Sequence, residues 1–257
     1  MKISIITVCY NSENSIEDTI KSIVNQTIFN QVEYIIIDGN SSDNTIGIIK
    51  IYKRFINHLI CEEDDGLYHA MNKGIKIATG DIVGFLNSDD VFYENNILEN
   101  IYNVFKNNED IDGVYGDLVY VKPNNLYSII RIWKSHQYFN RFFENAHVPP
   151  HPTLYLKKEI YTKHIGFNLA FKYAADYEFM LRIFKNGPIK TIYINKIFIR
   201  MRIGGLTSKN FLNRIKQNFE IYIAWKVNKL HPPFLLFPKR LLKKLMQFNF
   251  IQKHIYK

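Results

Sequence analysis

The sequence predicts an α/β protein built on a doubly wound, mostly parallel sheet, followed by a half of α+β character and a basic, amphipathic helical tail. Three observations predict this class. Apolar, β-rich runs alternate with helical segments over residues 1–93. These runs end in polar, turn-forming residues, as strands do at the ligand-binding edge of open parallel sheets. With 257 residues, 47% of them apolar, the chain can build one main core.

The first half repeats a strand and helix unit. Residues 3–10 are apolar and stop at a polar Asn-Ser pair, after which isoleucines recur at helical spacing over 15–26. The later strands are likewise apolar and the later helices periodic. The predicted elements that follow are strand 32–37, helix 45–55, strand 58–62, helix 67–78 and strand 82–86.

The regular alternation weakens after residue 93, which indicates an α+β elaboration rather than further strand and helix units. We divide the chain into a main domain, residues 1–208, and an extension, residues 209–257. The boundary between the two halves of the main domain falls at 93/94. The predicted elements are helix 95–106, strands 113–121 and 127–133, helix 174–184, strand 191–199 and a last helix from about 210.

The net charge of +9 is concentrated at the C-terminal end. Residues 209–257 hold eleven Lys or Arg and a single acid, Glu220, interleaved with aromatic and aliphatic residues. This composition is typical of a helix lying in an anionic membrane interface. A helix pair that forms a dimer, or ordinary packing against the main domain, fits the same pattern equally well.

Cysteine content and hydropathy predict a cytoplasmic protein that can associate peripherally with the inner face of the cell membrane. Cys9 and Cys61 lie far apart in apolar or strand-like contexts, which favours free thiols in a reducing compartment. The apolar run at the N-terminus is too short for a secretory signal. We see no uncharged run that approaches the length of a membrane span.

Carboxylates gather after the predicted strands. Asp89 and Asp90, with Asn87, directly follow strand 82–86, and Asp38 follows strand 32–37. Adjacent carboxylates repel each other, and a hard divalent cation such as Mg²⁺ or Mn²⁺ would compensate them. Helix capping is the alternative explanation for such aspartates. The position at several strand ends favours a shared ligand pocket.

Five segments in this order closely resemble family 2 glycosyltransferases of the GT-A fold. They are residues 3–11, Ile-Ser-Ile-Ile-Thr-Val-Cys-Tyr-Asn; 38–45, Asp-Gly-Asn-Ser-Ser-Asp-Asn-Thr; 65–74, Asp-Gly-Leu-Tyr-His-Ala-Met-Asn-Lys-Gly; 86–90, Leu-Asn-Ser-Asp-Asp; and 175–182, Ala-Asp-Tyr-Glu-Phe-Met-Leu-Arg. The resemblance covers roughly residues 1–205. It implies a catalytic domain whose first half binds a nucleotide sugar and whose second half binds the acceptor.

The same resemblance implies a function. An inverting transfer is expected, from a nucleotide-diphosphate sugar, by default a UDP-sugar, to a hydroxyl of a glycan or lipid-linked acceptor, with a divalent metal as cofactor. The pathway it suggests is the synthesis of a bacterial cell-surface polysaccharide such as O-antigen (the lipopolysaccharide side chain), capsule or exopolysaccharide.

Donor contacts are carried over by position. The resemblance implies that Thr7 and Asp38 contact the base and ribose of the donor, and that Asn72 and Lys73 lie near the nucleotide. A lysine is chemically suited to bind phosphate.

Residues 87–89 stand at the place of the family's Asp-x-Asp motif. The resemblance implies that Asp89 is a metal ligand and that Asp90 lies close to the ribose or the metal. Asn87 departs from the pattern, because many relatives have Asp there. An amide can still bond ribose hydroxyls, so we expect changed metal affinity or donor choice rather than lost activity.

The resemblance places a general base at Asp176. A base is required because an acceptor hydroxyl is a poor nucleophile until its proton is removed. Many relatives have Glu before this Asp, whereas this chain has Ala175. Glu178 is the alternative base, and a helix N-cap is the alternative role for Asp176.

Two further groups are expected on the acceptor side or in a closing loop. His147 and His151 flank a Pro-Pro turn, and the segment that begins at His151 resembles one lining the acceptor side. Arg200 and Arg202, with the Gly-Gly-Leu-Thr-Ser segment 204–208, could close over the diphosphate leaving group or form a surface turn.

The sequence gives less support to two other classes of function. A nucleotidyltransferase or sugar-nucleotide pyrophosphorylase should carry a Gly-rich, basic loop after the first strand, and residues 9–14 are not of this kind. A nucleic-acid-binding module would explain the charge and the aromatics, but acidic clusters at the sheet edge argue against a nucleic-acid partner.

Overall fold

The computed structural model describes residues 1–204 and 211–255. The strands are β1 Ile3–Cys9, β2 Val32–Asp38, β3 His58–Cys61, β4 Ile82–Phe85, β5 Asp90–Phe92, β6 Gly113–Lys122, β7 Asn125–Trp133, β8 Tyr155–Lys157 and β9 Thr191–Arg202. The helices are α1 Ile16–Val24, α2 Thr45–Ile51, α3 Leu67–Ile77, α4 Ile97–Asn107, α5 Lys158–Lys163, α6 Ala175–Leu181, α7 Phe211–Val227 and α8 Leu236–Ile255.

In the first half, elements form where the pattern predicts them. Every residue of β1 and β2 is buried, as expected for parallel strands covered on both faces. In α1, Ile16, Ile20 and Ile23 are fully buried on one side of the helix. The predicted helix 45–55 is shorter, because α2 ends at Ile51 and a 3₁₀ turn continues over Lys53–Phe55.

The described strands form one mixed sheet in the order β3-β2-β1-β4-β8-β6-β9-β5, with β7 paired to β6. Only β3, β2, β1 and β4 form a continuous parallel unit. The strand β8 is antiparallel to β4 and β6, and β5 is antiparallel to β9. The prediction of a mostly parallel sheet therefore holds for this unit only. Beyond β4 the sheet is mixed, because β5, β7 and β8 pair antiparallel with their neighbours whereas β6 and β9 are parallel. The strands β5 and β8 have three residues each, too few for a periodic pattern.

Two apolar cores lie on opposite faces of this sheet. One contains Ile3, Ile5 and Ile36 with the inward side chains of α1 and α4. The other contains Ile6 and Ile35 with α3, α6 and an aromatic group from the second half. Alternate residues of β1 thus serve different cores, which fixes the strand register and the direction in which its end points.

The C-terminal extension folds as two helices rather than one, with Pro232 and Pro233 in the connection. Ile221, Ala224 and Trp225 of α7 are buried, and Trp225 Nε1 donates a 3.0 Å hydrogen bond to the Tyr177 hydroxyl of α6. Packing against the main domain is therefore part of the role of α7. Among the described helices, none combines the length and hydropathy of a membrane span.

Candidate active site

Loops that follow β1, β2 and β4 are joined to one another at the carboxyl edge of the parallel strands. The hydroxyl oxygens of Ser12 and Ser88 lie 2.8 Å apart, which ties the first loop to the third. Asn11 Oδ1 accepts the backbone N–H of Ser42 at 2.9 Å, which ties the first loop to the second. Asn11 has a φ of 48°, and this left-handed conformation turns its amide toward the neighbouring loop. The chain thus builds one continuous polar edge.

Asp38 ends β2 at this edge and is fully buried. Its carboxylate accepts the Ser41 N–H at 2.8 Å and the Ser41 hydroxyl at 2.6 Å. The Cys9 thiol lies 3.3 Å from the same carboxylate. Burial and then the Asp38 charge raise the pKa of Cys9 well above its usual value, so this thiol is not a nucleophile.

Thr7 lies below the edge, in the core. Its side chain is fully buried, and its hydroxyl accepts a 3.3 Å hydrogen bond from the Tyr34 hydroxyl of β2. The structure therefore places Thr7 near Asp38 but within the packing of β1 on β2, and its contact with a donor stays a prediction.

The segment after β4 holds the paired aspartates. Asn87 Nδ2 donates to Asp90 Oδ2 at 3.2 Å, so the amide that replaces the expected carboxylate is bonded to Asp90. Asp90 is 0% exposed, and burial, followed by the Asp89 charge, raises the pKa of Asp90 well above its usual range. Asp89 is less buried, and its backbone carbonyl accepts a 2.7 Å bond from Arg202.

The donor set in this segment suits a hard cation. Asn87 Oδ1 and Asp90 Oδ1 are buried without a hydrogen-bond partner, a costly arrangement that a divalent cation bound by oxygen would relieve. The fit depends on two carboxylates and an amide rather than on a preformed cage. Within residues 1–204 and 211–255, no group of three or more His, Cys, Asp or Glu side chains converges as a metal site would.

Arg202, at the end of β9, also contacts the segment after β4. Its guanidinium donates to the carbonyl of Pro123 at 3.0 Å and pairs with Asp18 of α1. With the bond to Asp89, these contacts hold the Arg202 side chain in place. Arg200 donates to the Tyr93 carbonyl at 2.7 Å. Of the predicted closing loop, only Gly204 is described, and residues 205–208 lie outside the described part of the chain.

Lys73 and Asn72, both on α3, have different surroundings. The Lys73 ammonium pairs with Glu62 at 2.6 Å and with Asp64 at 2.8 Å, at the loop after β3. The Asn72 amide exchanges two 2.9 Å hydrogen bonds with the backbone of Phe167. Lys73 therefore lies at the polar edge, whereas Asn72 joins α3 to the second half. Their nearness to a nucleotide stays a prediction.

Asp176, in the first turn of α6, reaches the same side of the molecule. Its Oδ1 accepts a 2.9 Å hydrogen bond from the hydroxyl of Tyr68 on α3. Burial and then the charge of Asp176 raise the pKa of Tyr68 well above its usual value, so the phenol remains a donor to the carboxylate. The hydrogen bond orients one oxygen of the Asp176 carboxylate.

Glu178, the alternative candidate for the base, is buried and hydrogen-bonded inside the protein. This side chain is 2% exposed, and it accepts bonds from Arg182 at 2.8 and 3.0 Å and from Asn228 of the extension at 3.0 Å. A carboxylate committed to three donors inside the protein cannot reach an acceptor hydroxyl. The predicted helix 174–184 also ends earlier, at Leu181, and continues as a π-helical turn over Arg182–Asn186.

His151 lies in the aromatic core beside the base. Its ring centroid is 5.6 Å from that of Phe85 and 5.4 Å from that of Phe167. Burial lowers the pKa of His151, although the Asp176 charge opposes this, so the imidazole is neutral. Its Nε2 is buried without a partner. His147 belongs to a different group, with a ring centroid 5.2 Å from that of His136. The two predicted histidines therefore do not form one site.

Several side chains that the sequence did not single out support the base. Glu220 of α7 accepts the backbone N–H groups of Lys172, Tyr173 and Ala174 at 3.0, 2.7 and 2.8 Å, directly before α6. Its signal in the sequence was its position as the single acid in a basic extension. Tyr68 lies within the Asp-Gly-Leu-Tyr-His segment but had no predicted role.

Tyr120 of β6 connects the two acidic groups. Burial raises the pKa of its phenol, Arg131 opposes this, and the charges of Asp90 and Asp176 raise it further. One side chain thus lies within electrostatic reach of both the segment after β4 and the base. A separate cleft of about 590 Å³ lies at the opposite, amino end of the strands, around Asp81 and Lys158, and contains none of the predicted site residues.

The fold is that of an α/β protein whose parallel strands end at an edge with buried carboxylates, and open parallel sheets commonly bind their ligands at this edge. The sequence profile described as "Glycosyl transferase family 2" matches residues 4–162, more than half of the chain. The protein therefore belongs to glycosyl transferase family 2 and is a glycosyltransferase.

Curated relatives agree with this assignment. A PGL/p-HBAD biosynthesis glycosyltransferase of Mycobacterium bovis is 28% identical over 212 residues, which cover 79% of each chain. An uncharacterised glycosyltransferase of Methanocaldococcus jannaschii is 26% identical over 242 residues, which cover 89% of this chain and 81% of the relative.

Solved structures share the GT-A-like fold. S. aureus TarS, residues 1–349, in complex with UDP, superimposes with a TM-score of 0.68 at 19% identity, over all of this chain and 72% of that one. A mannosyltransferase of Pyrobaculum calidifontis, in complex with GDP-Man and Mn²⁺, gives a TM-score of 0.65 at 16% identity, over 95% and 74% of the two chains.

Proposed function

We propose that this glycosyltransferase moves a sugar from a nucleotide-diphosphate sugar to a hydroxyl of a glycan or lipid-linked acceptor, with inversion at the anomeric carbon. Asp176 takes the hydroxyl proton while the acceptor oxygen forms its bond to that carbon. The bond from the carbon to the diphosphate oxygen breaks in the same displacement, and the nucleoside diphosphate leaves. The observation that carries the proposal is the Tyr68–Asp176 hydrogen bond, which holds the base on the side of the polar edge.

The donor side of the proposal uses the polar edge. Asp38, Asn87 and Asp90 lie at the polar edge, and we expect them to hold the ribose and the diphosphate. Lys73, which pairs with Asp64 in the loop after β3, is the expected phosphate partner. Solved neighbours carry UDP, UDP-GlcNAc or GDP-Man. This supports a nucleotide sugar in general, and we take UDP as the default nucleotide of the donor.

A divalent cation is part of the proposal. Asp89 would hold Mn²⁺ or Mg²⁺, with the partnerless oxygens of Asn87 and Asp90 beside it. When bound, the cation supplies positive charge to the diphosphate leaving group. The mannosyltransferase neighbour with Mn²⁺ supports this role.

The extension supports peripheral attachment to a membrane. Its exposed residues include large apolar side chains, among them Phe234 at 97%, Leu241 at 61% and Leu245 at 56% exposure. Exposed lysines such as Lys216 and Lys226 lie on the neighbouring helix α7. Apolar and basic side chains together suit the surface of an anionic bilayer. A lipid-linked acceptor in bacterial cell-surface polysaccharide synthesis would share that surface.

A panel of nucleotide sugars tests the donor. We expect binding and slow hydrolysis of one donor, stimulated by Mn²⁺ or Mg²⁺, and no response to the others. A protein that binds no nucleotide sugar under either condition would not support the proposal.

Vesicle flotation tests the membrane part separately. The double variant Leu241→Ser with Leu245→Ser should lose binding to vesicles that contain phosphatidylglycerol. The matched control, Ile51→Ser with Leu169→Ser, removes two exposed apolar side chains of the main domain and should bind like the parent. Equal binding of the parent and both double variants to these vesicles would refute the proposed membrane attachment.

A further inference from the structure

The helix α8 is amphipathic in the reverse sense. A surface helix of a water-soluble domain normally buries its apolar side and exposes its charges. In α8, Leu241, Leu242, Leu245 and Met246 are exposed, whereas Arg240 and Lys243 are half-buried against the main domain. This orientation turns cations toward the protein, where an anion is needed to balance them.

These cations form one group with an arginine of the sheet. We call it the inner basic cluster; it consists of Arg131 of β7 and Lys239, Arg240, Lys243 and Lys244 of α8. The Arg131 guanidinium lies 3.5 Å from the Tyr120 ring centroid and 5.9 Å from that of Phe248 in α8. Lys239 Nζ donates to Asn145 Oδ1 at 3.0 Å. Arg131 thus connects β7 to α8, and Lys239 connects α8 to the segment before Pro149.

Within the described part of the chain, no carboxylate pairs with the cluster. Among the described side chains, the ion pairs do not include any of these five cations. Burial and then Lys239 lower the pKa of Lys243 to about 8. Burial, followed by Arg131 and other arginines, lowers the pKa of Lys244. Like charges that crowd at a half-buried place destabilise the fold unless an anion joins them.

Arg240 brings the cluster close to Asp176, whereas Lys244 is exposed to solvent. Arg240 lies 5.3 Å from the ring centroid of Tyr177, the residue that follows Asp176. The pKa of Arg240 is lowered by burial, and Tyr177 and Asp176 oppose this shift, so its guanidinium lies within electrostatic reach of the base carboxylate. Arg131 reaches the same place through Tyr120. An anion held here would therefore lie next to the reacting hydroxyl.

We propose that the inner basic cluster binds a phosphate or diphosphate group of the acceptor. The inference rests on the proposed glycosyl transfer and names the acceptor class: a phosphate-linked lipid whose chain continues toward the exposed apolar side of α8. The diphosphate of the donor is already provided for at the polar edge, with Asp89 and its cation. Guanidinium and ammonium groups are the usual protein partners of phosphate oxygens.

Binding of farnesyl diphosphate to the full-length protein tests the proposal. Calorimetry is done with a saturating amount of the nucleoside diphosphate that the donor panel identifies, so that the donor site is filled. Farnesyl diphosphate should bind, and farnesol should bind at least about tenfold more weakly. Arg240→Gln and Lys243→Gln should each weaken binding about tenfold, because each removes a charge-assisted contact. The matched controls Lys216→Gln and Lys226→Gln should stay within about twofold of the parent.

Three results would overturn the proposal. Equal affinity for farnesol would show that the phosphates are not recognised. Loss of farnesyl diphosphate binding when the nucleoside diphosphate is added would assign the cluster to the donor. Loss of flotation on phosphatidylglycerol vesicles by Arg240→Gln and Lys243→Gln, with unchanged farnesyl diphosphate affinity, would assign it to lipid headgroups.

Two controls distinguish loss of farnesyl diphosphate binding from misfolding of a variant and from loss of donor hydrolysis. Circular dichroism and nucleotide affinity show whether each variant folds, and Lys243→Gln, which removes no ring contact, provides a reading if Arg240→Gln does not fold. Donor hydrolysis is scored independently. If the protein hydrolyses its donor but does not bind farnesyl diphosphate, this inference is refuted, whereas the proposed function is not.

Discussion

The polar edge of the first half and the base of the second half are built in different ways. Asp38 and Asp89 follow strands of one parallel unit, and hydrogen bonds between the loops after these strands tie them together. Asp176 depends on partners far along the chain: Tyr68 before it and Glu220 after it. The donor side is thus a product of local strand and helix units, whereas the base is positioned by the meeting of three separate segments.

Replacement of the base should separate the two sides most clearly. Asp176→Asn keeps the size of the side chain and removes its ability to take a proton, so transfer should fall by about 10³-fold. Nucleotide affinity should change by less than about twofold, measured by calorimetry. Asp110→Asn, at an exposed position of the second half, is the matched control. Loss of nucleotide affinity would mean that Asp176 belongs to the donor side and would break the comparison.

Changes in the segment after β4 should affect the cation and not the base. Asp89→Asn should raise the Mn²⁺ concentration for half-maximal donor hydrolysis at least about tenfold, because a charged ligand is lost. Asn87→Asp should lower it, because it adds a carboxylate beside Asp90. Titration of hydrolysis with Mn²⁺ measures both. An unchanged Mn²⁺ requirement in the two variants would remove Asp89 from the metal site.

Glu220 tests whether the extension positions the base. Glu220→Gln keeps one accepting oxygen and turns an amide N–H₂ toward the backbone N–H groups that the other oxygen accepted, which should cost about 1–2 kcal/mol of unfolding free energy. Transfer should fall about tenfold while nucleotide affinity is kept. Glu109→Gln, at an exposed position, is the control. If donor affinity fell with transfer, Glu220 would support the whole fold rather than α6.

A substitution of Glu33, at the amino end of the sheet, should change stability without changing the candidate active site. Burial opposes ionisation of Glu33, but hydrogen bonds from Ser4 and Thr79, with Lys2, outweigh it and lower the pKa of Glu33 to about 2. Glu33→Gln should therefore lose about 2 kcal/mol of stability at neutral pH, with transfer per folded molecule unchanged.

The sign of the pH dependence follows from that lowered pKa. The stabilisation by Glu33 is complete above its unfolded pKa of 4.5 and is lost as the pH falls toward about 2. The gap between the urea midpoints of the parent and Glu33→Gln should therefore narrow from pH 7 to pH 3. A constant gap would mean that packing, not charge, explains the loss.

Sequence patterns could predict the donor side because its determinants are local. The apolar run of β2 and the turn after it place Asp38, and β4 places Asp89 in the same way. The contact between Tyr68 and Asp176 spans 108 positions, and no period or spacing encodes it. The short strands β5 and β8 were not predicted for a related reason. A strand of three residues takes its conformation from the strands beside it.

Resemblance to a family supplied Asp176, and the structure shows that Asp176 and Glu178 have different partners. Both acids stand in the first turn of α6, and only their partners distinguish them. Glu178 is held by Arg182 and Asn228, neither of which the sequence could place against it. The reversal of α8 was equally out of reach, because a helical pattern gives two faces without stating which one turns inward.

That reversal affects how the protein should be released from a bilayer. Because Arg240 and Lys243 turn inward, contact between α8 and lipid would be made by leucine and methionine side chains. Raised ionic strength screens charges and leaves apolar contacts intact. We therefore expect that washing with concentrated salt leaves the enzyme in the membrane pellet, whereas a mild detergent extracts it.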